Sequence, residues 1–207
     1  HAYPDFRNHP LFIKRMELFV SLLFSSQIKY VFPRLWHTKG ETLKDYVTVT
    51  GNSDWQQTKS CWKNNQWSSV SGQFRQCGIC AACMLRRLSF HAAGLEDNAE
   101  NYICENLSAP DLQTAVVPGF KGLSPAYEQY AIAGVLHLDH LADMSGQMAA
   151  NIVQRHARLL APVLGLTTDD ASDKLAALLE HHALEWKHFV NSLGENSFVK
   201  KWVRTRI

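Results

Sequence analysis

Apolar residues recur every three or four positions along several stretches of this 207-residue chain, as in helices with one buried face. The first stretch follows Asn8, His9 and Pro10, where proline suits a first helical turn. Its apolar positions are Phe12, Met16, Phe19, Val20 and Leu23. The sequence therefore predicts a helix that begins near Pro10.

Three further elements are predicted in the first half of the chain. The segment KYVFPRLW, residues 29–36, has strand composition, and Pro33 restricts it to a sheet edge or a strand end. Thr38 and Glu41 form a T-x-x-E capping box, which predicts a helix over residues 39–49. The segment MLRRLSFHAAG predicts another helix, which ends at Gly94.

The second half of the chain has helical periodicity and almost no strand signals after residue 104. Ser124 and Pro125 open a helix that should run to about residue 142, and residues 146–161 and 169–193 continue in the same period, with Gly194 as a stop. Prolines and glycines interrupt residues 105–122. The chain is therefore predicted to be mostly α, with a first domain at 1–104, a linker at 105–122 and an all-helical extension at 123–207.

Composition excludes some classes of protein. Hydrophobic residues make up 46% and charged residues 19%, as in ordinary globular proteins, and no apolar run is long enough to span a bilayer. The formal charge of +2 is too small to indicate a nucleic-acid binder by itself. Because the first residue is His1 and not Met, we expect the chain to be part of a longer one.

Three of the five cysteines lie within QCGICAACMLRR, each separated from the next by two residues. An odd cysteine count and strained near-neighbour pairs argue against a disulfide framework, so we expect a cytoplasmic protein whose thiolates bind a metal. With Cys61 as fourth ligand, the spacing C-x15-C-x2-C-x2-C predicts a closed structural zinc site. Its ligands are Cys61, Cys77, Cys80 and Cys83.

Two alternatives to zinc remain open at this point. The triplet is also a plausible scaffold for an iron–sulfur cluster, and the thiols could instead be free and buried. Cys104 is expected to be a plain buried thiol. His137 and His140 lie three apart on a predicted helix, but no carboxylate is convincingly placed on the same face, so a second metal site is not favoured.

Several segments together resemble the 7-cyano-7-deazaguanine synthases, which use ATP in queuosine precursor synthesis. HAYPDFRNHPLFIKR is similar to their Y-P-D-C-R-P-x-F-I segment, and PRLWHTKGETL to their P-L-x-x-x-T-K-x-E helix start. TKSCW with CGICAACMLRRLSFHAAGLED is similar to their terminal cysteine motif. The segments occur in the family's order and cover residues 1 to about 102.

This resemblance implies an α/β Rossmann-like domain of the PP-loop ATP pyrophosphatase superfamily, of which this chain holds the C-terminal portion. It also implies zinc on the four cysteines and adenylation of the carboxylate of 7-carboxy-7-deazaguanine, after which ammonia replaces AMP and a second activation yields the nitrile. Asp5 and Arg7 of the Y-P-D-x-R segment are the substrate-binding candidates, with Lys39 as a weaker one. The catalytic residues are not identified.

The chain departs from the family pattern in three places. The phosphate loop S-G-G-x-D-S is absent, so ATP with Mg²⁺ is expected only with an N-terminal half outside these residues. Phe6 stands where the family has cysteine. About a hundred residues follow Asp97, as in extended relatives that serve anti-phage defence.

Two other classes of function stay open. The chain could be a catalytically inactive zinc-stabilised module that binds a partner protein through its helical tail. A zinc-ribbon nucleic-acid binder is the weakest option, because Arg75, Arg86 and Arg87 flank the cysteines without an accompanying stripe of basic and aromatic residues.

Overall fold

The computed structural model describes residues 9–61, 69–70 and 72–204, with Arg204 described by its backbone alone, and most of them are helical. The α-helices in this part of the chain are α1 (Pro10–Leu23), α2 (Lys39–Thr50), α3 (Ala81–Ala92), α4 (Leu112–Ala115), α5 (Pro125–Asp143), α6 (Ala150–Leu164), α7 (Thr168–Ser192) and α8 (Phe198–Arg204). Short 3₁₀ helices lie at Asp54–Gln57, Ala99–Asn101 and Gln147–Ala149.

The sheet content of the described residues is small. Strands β1 (Ser69–Val70) and β2 (Gln73–Phe74) pair antiparallel, with Ser69 opposite Phe74 and Val70 opposite Gln73. Isolated bridges join Gln76 to Tyr102 and Cys104 to Val116. The prediction of a mostly helical chain is confirmed.

The chain divides into two compact units. The first consists of His1–His37 and Asp143–Glu180. Within it α1 contacts α6, and α6 presents one strongly apolar face. A small buried cluster forms where Ala157 and Ala161 of α6 meet Ala171 of α7. Gly165 ends α6 in the left-handed conformation, with φ 68°, which glycine adopts at little cost.

The second unit consists of Thr38–Ala142 and His181–Ile207 and holds the larger core. This core surrounds the cysteines and combines residues from α3, α5, the last part of α7 and α8. Its largest fully buried members include Ile79, Met84, Leu88 and Val135. The cysteine site is therefore part of the main core and not an appendage to it.

The predicted helices are confirmed. Pro10 is the first residue of α1, and both hydrogen bonds of the capping box at Thr38 and Glu41 are present. The hydroxyl of Ser124 accepts the backbone N–H of Tyr127 at the start of α5. Gly194 adopts φ 82° just after α7. The helix predicted over residues 84–94 begins earlier, at Ala81, because Cys80 serves as its N-cap.

The strand predicted over residues 29–36 is wrong. Residues 27–32 carry no regular structure, and residues 33–36 form a turn, in which the N–H of Leu35 donates to the carbonyl of Phe32. A strand requires a neighbour for its backbone groups. Within the described part of the chain, β1 and β2 pair only with each other.

The division at residues 105–122 stays a prediction. Leu112–Ala115 of this segment form α4, and Leu107, Leu112 and Ala115 are buried in the core of the second unit. Because burial of these side chains stabilises their position, the segment is integrated with the core around the cysteines.

Candidate metal centre and its surroundings

Four cysteines converge in the second unit. One ligand atom from each of Cys61, Cys77, Cys80 and Cys83 lies within 4.8 Å of the others, and the Sγ atoms of Cys77 and Cys83 are 3.8 Å apart. Zn–S bonds of about 2.3 Å at tetrahedral angles place neighbouring sulfurs about 3.8 Å apart. The predicted ligands are therefore brought together at a spacing that suits one tetrahedral ion.

Backbone amides point at the sulfurs. The N–H of Cys77 donates to Sγ of Cys61 at 3.3 Å, that of Cys80 to Sγ of Cys77 at 3.3 Å, and that of Cys83 to Sγ of Cys80 at 3.4 Å. Hydrogen bonds of this kind stabilise negative charge on a ligand and fix its orientation. The backbone is thus arranged to receive thiolates.

The tight turn between the cysteines depends on Gly78, which has φ 80°. A Cβ there would lie 2.7 Å from the carbonyl oxygen of Cys104 and 2.9 Å from Cβ of Tyr102. Cys80 then ends the turn as N-cap of α3, and Cys83 lies in the first turn of that helix. The C-x2-C-x2-C spacing therefore joins a turn to a helix start, which explains how three sulfurs face one point.

The distances between the sulfur atoms also distinguish a site for a single metal ion from a site for an iron–sulfur cluster. An iron–sulfur cluster places its own iron and sulfide atoms between the cysteine sulfurs and holds those sulfurs much further apart than one ion does. Sulfur atoms that all lie within 4.8 Å leave no room for such a core. Of the metal alternatives, the geometry favours one ion with four thiolates.

The electrostatics of the pocket also favour a cation. Hydrogen bonds from the other three thiols lower the pKa of Cys61, whereas the interaction with Cys61 raises the pKa of Cys77 and of Cys83. The buried pocket therefore opposes ionisation of all four thiols unless a positive charge compensates it. A divalent ion would supply the charge that lets all four thiols ionise, with release of protons.

The helical second half of the chain packs directly against this centre through α5. The hydroxyl of Tyr127 donates to the carbonyl of Cys77 at 3.0 Å, and both residues are buried. A Cβ added to Gly134 would lie 2.5 Å from the carbonyl oxygen of Ile79 and 2.9 Å from the amide nitrogen of Ala81. Gly134 therefore permits the close approach of α5 to the backbone that carries Cys80.

Cys104 is buried and lies outside the four-cysteine group, as expected. Burial raises its pKa to about 12, so the group stays a neutral thiol at ordinary pH. Its backbone N–H donates to the carbonyl of Cys77. Cys104 thus supports the centre through its main chain.

A network of hydrogen bonds from the buried Arg86 lies beside the four cysteines, and the sequence did not predict these contacts. The guanidinium of Arg86 donates to the hydroxyl of Thr58, to the hydroxyl of Tyr102 at 3.1 Å and to the carbonyls of Trp55 and Gln56. It also lies 4.4 Å from the ring centroid of Phe90. Arg86 therefore ties the segment before Cys61 to α3.

Tyr102 links this network to Asp97. Its hydroxyl donates to Oδ1 of Asp97 at 3.0 Å, and the guanidinium of Arg87 lies 4.4 Å from its ring centroid. Burial raises the pKa of Asp97, and its Oδ2 has no hydrogen-bond partner within the described part of the chain. The motif residues Thr58, Arg86 and Asp97 thus share one structural role, and no spacing signal pointed to Tyr102.

The arginines considered for nucleic acid are used within the fold. Arg87 donates to the carbonyls of Cys104 at 2.8 Å and Glu105 at 2.7 Å. Arg75 pairs with the carboxylate of Glu105. Because these guanidinium groups and that of Arg86 are bound by protein groups, the three do not form a free basic patch.

The substrate-binding candidates are not brought together in the described residues. Asp5 and Arg7 lie outside them. Lys39 is the first residue of α2, and its side chain is exposed. A shared site for the three stays a prediction.

A carboxylate from α7 lies at the start of α2, which no sequence signal indicated. The hydroxyl of Thr38 donates to Oε1 of Glu185 at 2.6 Å, and a Cβ on Gly40 would lie 2.8 Å from the same oxygen. Burial raises the pKa of Glu185, and the nearby Glu41 raises it further. His181 also reaches this point, with its Nδ1 2.8 Å from Oε1 of Glu41.

The other histidines do not join a cluster of metal ligands within the described residues. His137 and His140 are exposed, and the four cysteines are the sole group of potential ligands found within the described residues. His182 is buried, with its Nε2 3.0 Å from the carbonyl of Leu138, and burial lowers its pKa.

Residues 1–94 match the family model described as "Queuosine biosynthesis protein QueC". This segment contains all four cysteines and the resembling motifs except residues 95–97, and the resemblance is confirmed for it. Over 100 residues the chain is 30% identical to the 7-cyano-7-deazaguanine synthase of Marinomonas sp. (strain MWYL1). The matched part is 48% of this chain and 40% of that relative. No solved structure matches.

None of the helices in the described part of the chain combines the length and the apolar character that crossing a bilayer requires.

Proposed function

We propose that this chain is the C-terminal portion of a 7-cyano-7-deazaguanine synthase-like, ATP-dependent enzyme with a Rossmann-like α/β domain of the PP-loop type. The observation that carries the proposal is the family match over residues 1–94, whose four cysteines meet in one core site. The chain spans about 40% of the length of the relative it matches, so ATP with Mg²⁺ would bind where residues outside the chain contribute. The proposed location is the cytoplasm.

The metal at the cysteine site is proposed to be zinc in a structural role. Four cysteines fill a tetrahedral shell and leave no position for a substrate, and Cys77, Cys80 and Cys83 are buried. Zinc bound there would supply folding free energy by joining Cys61 to the α3 start. The reaction itself would take place elsewhere on the enzyme.

Metal analysis tests this assignment. Purified protein should contain about one zinc per chain, and Cys80→Ser should lose it and unfold more readily, because three thiolates hold the ion less well. Cys104→Ala is the matched control, since Cys104 is an equally buried cysteine outside the group. Iron in place of zinc, or full zinc in the Cys80→Ser variant, would refute the assignment.

The proposed substrate is a 7-deazaguanine-type small molecule that carries a carboxylate. Asp5 would accept hydrogen bonds from the donors of the guanine-like edge, and Arg7 would pair with the carboxylate or the phosphate through its planar fork. Lys39, exposed at the start of α2, would supply a second positive charge. These groups would position the carboxylate for attack on the α-phosphate of ATP, which would release pyrophosphate, and ammonia would then displace AMP from the adenylate.

Arg7→Ala tests the substrate role in the natural protein with its ATP-binding portion present. Loss of a charge-assisted contact of about 1.5–3 kcal/mol should lower kcat/KM for 7-carboxy-7-deazaguanine about ten- to a hundredfold, with AMP release as the assay. Arg15→Ala is the control, because Arg15 is an exposed arginine on α1. Equal losses in both variants would remove Arg7 from the site.

A second candidate function is a catalytically inactive zinc-stabilised module that binds a partner protein through its helical tail. This reading would use the tail of about a hundred residues beyond Asp97, and the same tail favours a role in anti-phage defence over queuosine synthesis. The assay of AMP release separates the two functions. Absence of AMP release with every deazaguanine offered would shift the weight to the binding module.

A further inference from the structure

Two side chains of α7 reach the start of α2, and each contacts one side chain of its capping box. Oε1 of Glu185 accepts a hydrogen bond from the hydroxyl of Thr38 at 2.6 Å, and Nδ1 of His181 lies 2.8 Å from Oε1 of Glu41. His181 and Glu185 are four residues apart in one helix and therefore share a face of α7. This face contacts both side chains that cap α2.

The hydroxyl of Thr38 has two roles in the cap. It accepts the backbone N–H of Glu41 at 3.0 Å while it donates to Glu185. Thr38 is only 7% exposed. Loss of the acceptor on α7 would leave a buried hydroxyl donor unsatisfied or let its rotamer change, and either outcome weakens the cap. The first turn of α2 therefore depends on Glu185.

The contacts at the start of α2 leave one side chain to solvent. A Cβ on Gly40 would lie 2.6 Å from Cβ of Ala92 and 2.8 Å from Oε1 of Glu185, so glycine permits α2 to approach both α3 and α7. Thr38 and Gly40 are buried, whereas Lys39 between them is exposed. Lys39 also forms no ion pair within the described residues. The backbone of Lys39 is thus fixed on both sides while its ammonium group remains available to a ligand.

The residues that contact each other here come from two parts of the chain. The start of α2 lies in the segment that matches the family model, which ends at residue 94. Helix α7 begins at Thr168, in the helical extension. The extension therefore contributes side chains to a segment that holds one of the substrate-binding candidates, Lys39.

We propose that Glu185 is a positioning residue for Lys39, which fixes the Thr38 cap and so holds the first turn of α2 where the ammonium group of Lys39 meets the negatively charged substrate. The inference rests on the proposed function, because that function supplies the substrate. It adds that part of the substrate side is built by the helical extension. The face of α7 around Glu185 then serves the enzyme itself and not a partner protein.

Kinetics of the natural protein, with its ATP-binding portion present and AMP release as the assay, test this role. Glu185→Met and Glu185→Gln form a matched pair of similar length, of which only glutamine keeps an acceptor for the hydroxyl of Thr38. Glu185→Met should raise KM for 7-carboxy-7-deazaguanine about tenfold and leave kcat within about twofold, and Glu185→Gln should recover most of the wild-type KM. Glu180→Ala, at an exposed glutamate of the same helix, is the control.

A double-mutant cycle distinguishes an effect through Lys39 from a general loss of stability. Lys39→Ala should also raise KM, and the double variant Lys39→Ala with Glu185→Met should have the KM of Lys39→Ala alone, because the position of the first turn matters little once the ammonium group is gone. Additive increases in KM would show that Glu185 acts by another route and would overturn the proposal.

Hydrogen exchange provides a readout that needs no turnover. The amides of Glu41 and Thr42 donate to the hydroxyl and the carbonyl of Thr38. Glu185→Met should accelerate their exchange about fivefold or more, whereas Glu185→Gln and Glu180→Ala should leave it unchanged. Unchanged exchange in Glu185→Met would refute the role of Glu185 in the cap.

The two readouts separate this inference from the proposed function. AMP release by the wild type together with an unchanged KM in Glu185→Met would overturn the positioning role and leave the proposed function standing. Accelerated exchange in Glu185→Met, without AMP release even by the wild type, would contradict the proposed function and reduce Glu185 to a cap of α2.

Discussion

Gly134→Ala should change the free energy of unfolding in two opposite ways, because alanine favours the helix locally but clashes with neighbouring backbone in the fold. Gly134 lies in the interior of α5, where alanine stabilises a helix by about 0.8–1 kcal/mol relative to glycine. In the fold, however, the new Cβ would lie 2.5 Å from the carbonyl oxygen of Ile79, 2.9 Å from the amide nitrogen of Ala81 and 3.0 Å from the carbonyl carbon of Cys80.

The tertiary effect should dominate. All three neighbouring atoms are backbone, and they belong to the segment that carries Cys80, so no flexible side chain can move aside. Overpacking costs about 1–3 kcal/mol and occasionally more, and the upper part of that range, about 2–3 kcal/mol, is expected where only backbone can shift. After the gain in helix propensity, we expect a net destabilisation of about 1–2 kcal/mol, which corresponds to a fall in Tm of about 2–8 °C.

Thermal and urea unfolding of the zinc-loaded protein measure this change, together with the rate at which a chelator removes the metal. The variant should also lose zinc faster, because its strain acts on the backbone between Cys77 and Cys83. Gly146→Ala is the matched control, since Gly146 has an ordinary negative φ of −79° and its nearest neighbour would be 3.4 Å away. A Gly134→Ala variant as stable as the wild type would show that α5 does not press on the cysteine turn.

Two further substitutions test the surroundings of the centre. Arg86→Lys should destabilise the protein by about 2–4 kcal/mol in urea unfolding, because an ammonium group cannot satisfy all the acceptors that the guanidinium of Arg86 serves. Arg75→Lys, in the more exposed pair with Glu105, should cost under about 1 kcal/mol. Similar losses of stability in the two variants would contradict the network around Arg86. Because the pKa of Glu185 is raised in the folded protein, stability should fall as the pH rises from the ordinary glutamate pKa through the raised one. Glu185→Gln should remove this pH dependence, while Thr38 keeps an acceptor for its hydroxyl. The same pH profile of unfolding in the variant and the wild type would refute this role of Glu185.

Local signals in the sequence predicted most of the secondary structure. Helix starts at Pro10, Thr38 and Pro125 were found because capping and first-turn chemistry involve residues close in sequence. The strand at residues 29–36 failed for the opposite reason, since a strand depends on a neighbour that its own sequence does not specify.

The candidate site shows the same difference between local signals, which the sequence reveals, and contacts between distant residues, which it does not. The convergence of the four cysteines was predicted because metal chemistry restricts residue type and spacing. The contacts of Tyr127 and Glu185 were not, because they join residues 50 and 147 positions apart and carry no local pattern. Asp5 and Arg7 stay predictions from resemblance, since both lie outside the described residues.

The unequal burial of the four candidate ligands has a consequence for the lifetime of an ion bound there. Cys77, Cys80 and Cys83 are at most 1% exposed, whereas Cys61 is half-buried and enters from a separate segment of the chain. A competing chelator, an alkylating reagent or an oxidant therefore reaches the sulfur of Cys61 first. Exchange of the metal should begin with dissociation of this one sulfur, and the three-cysteine turn should release the ion last.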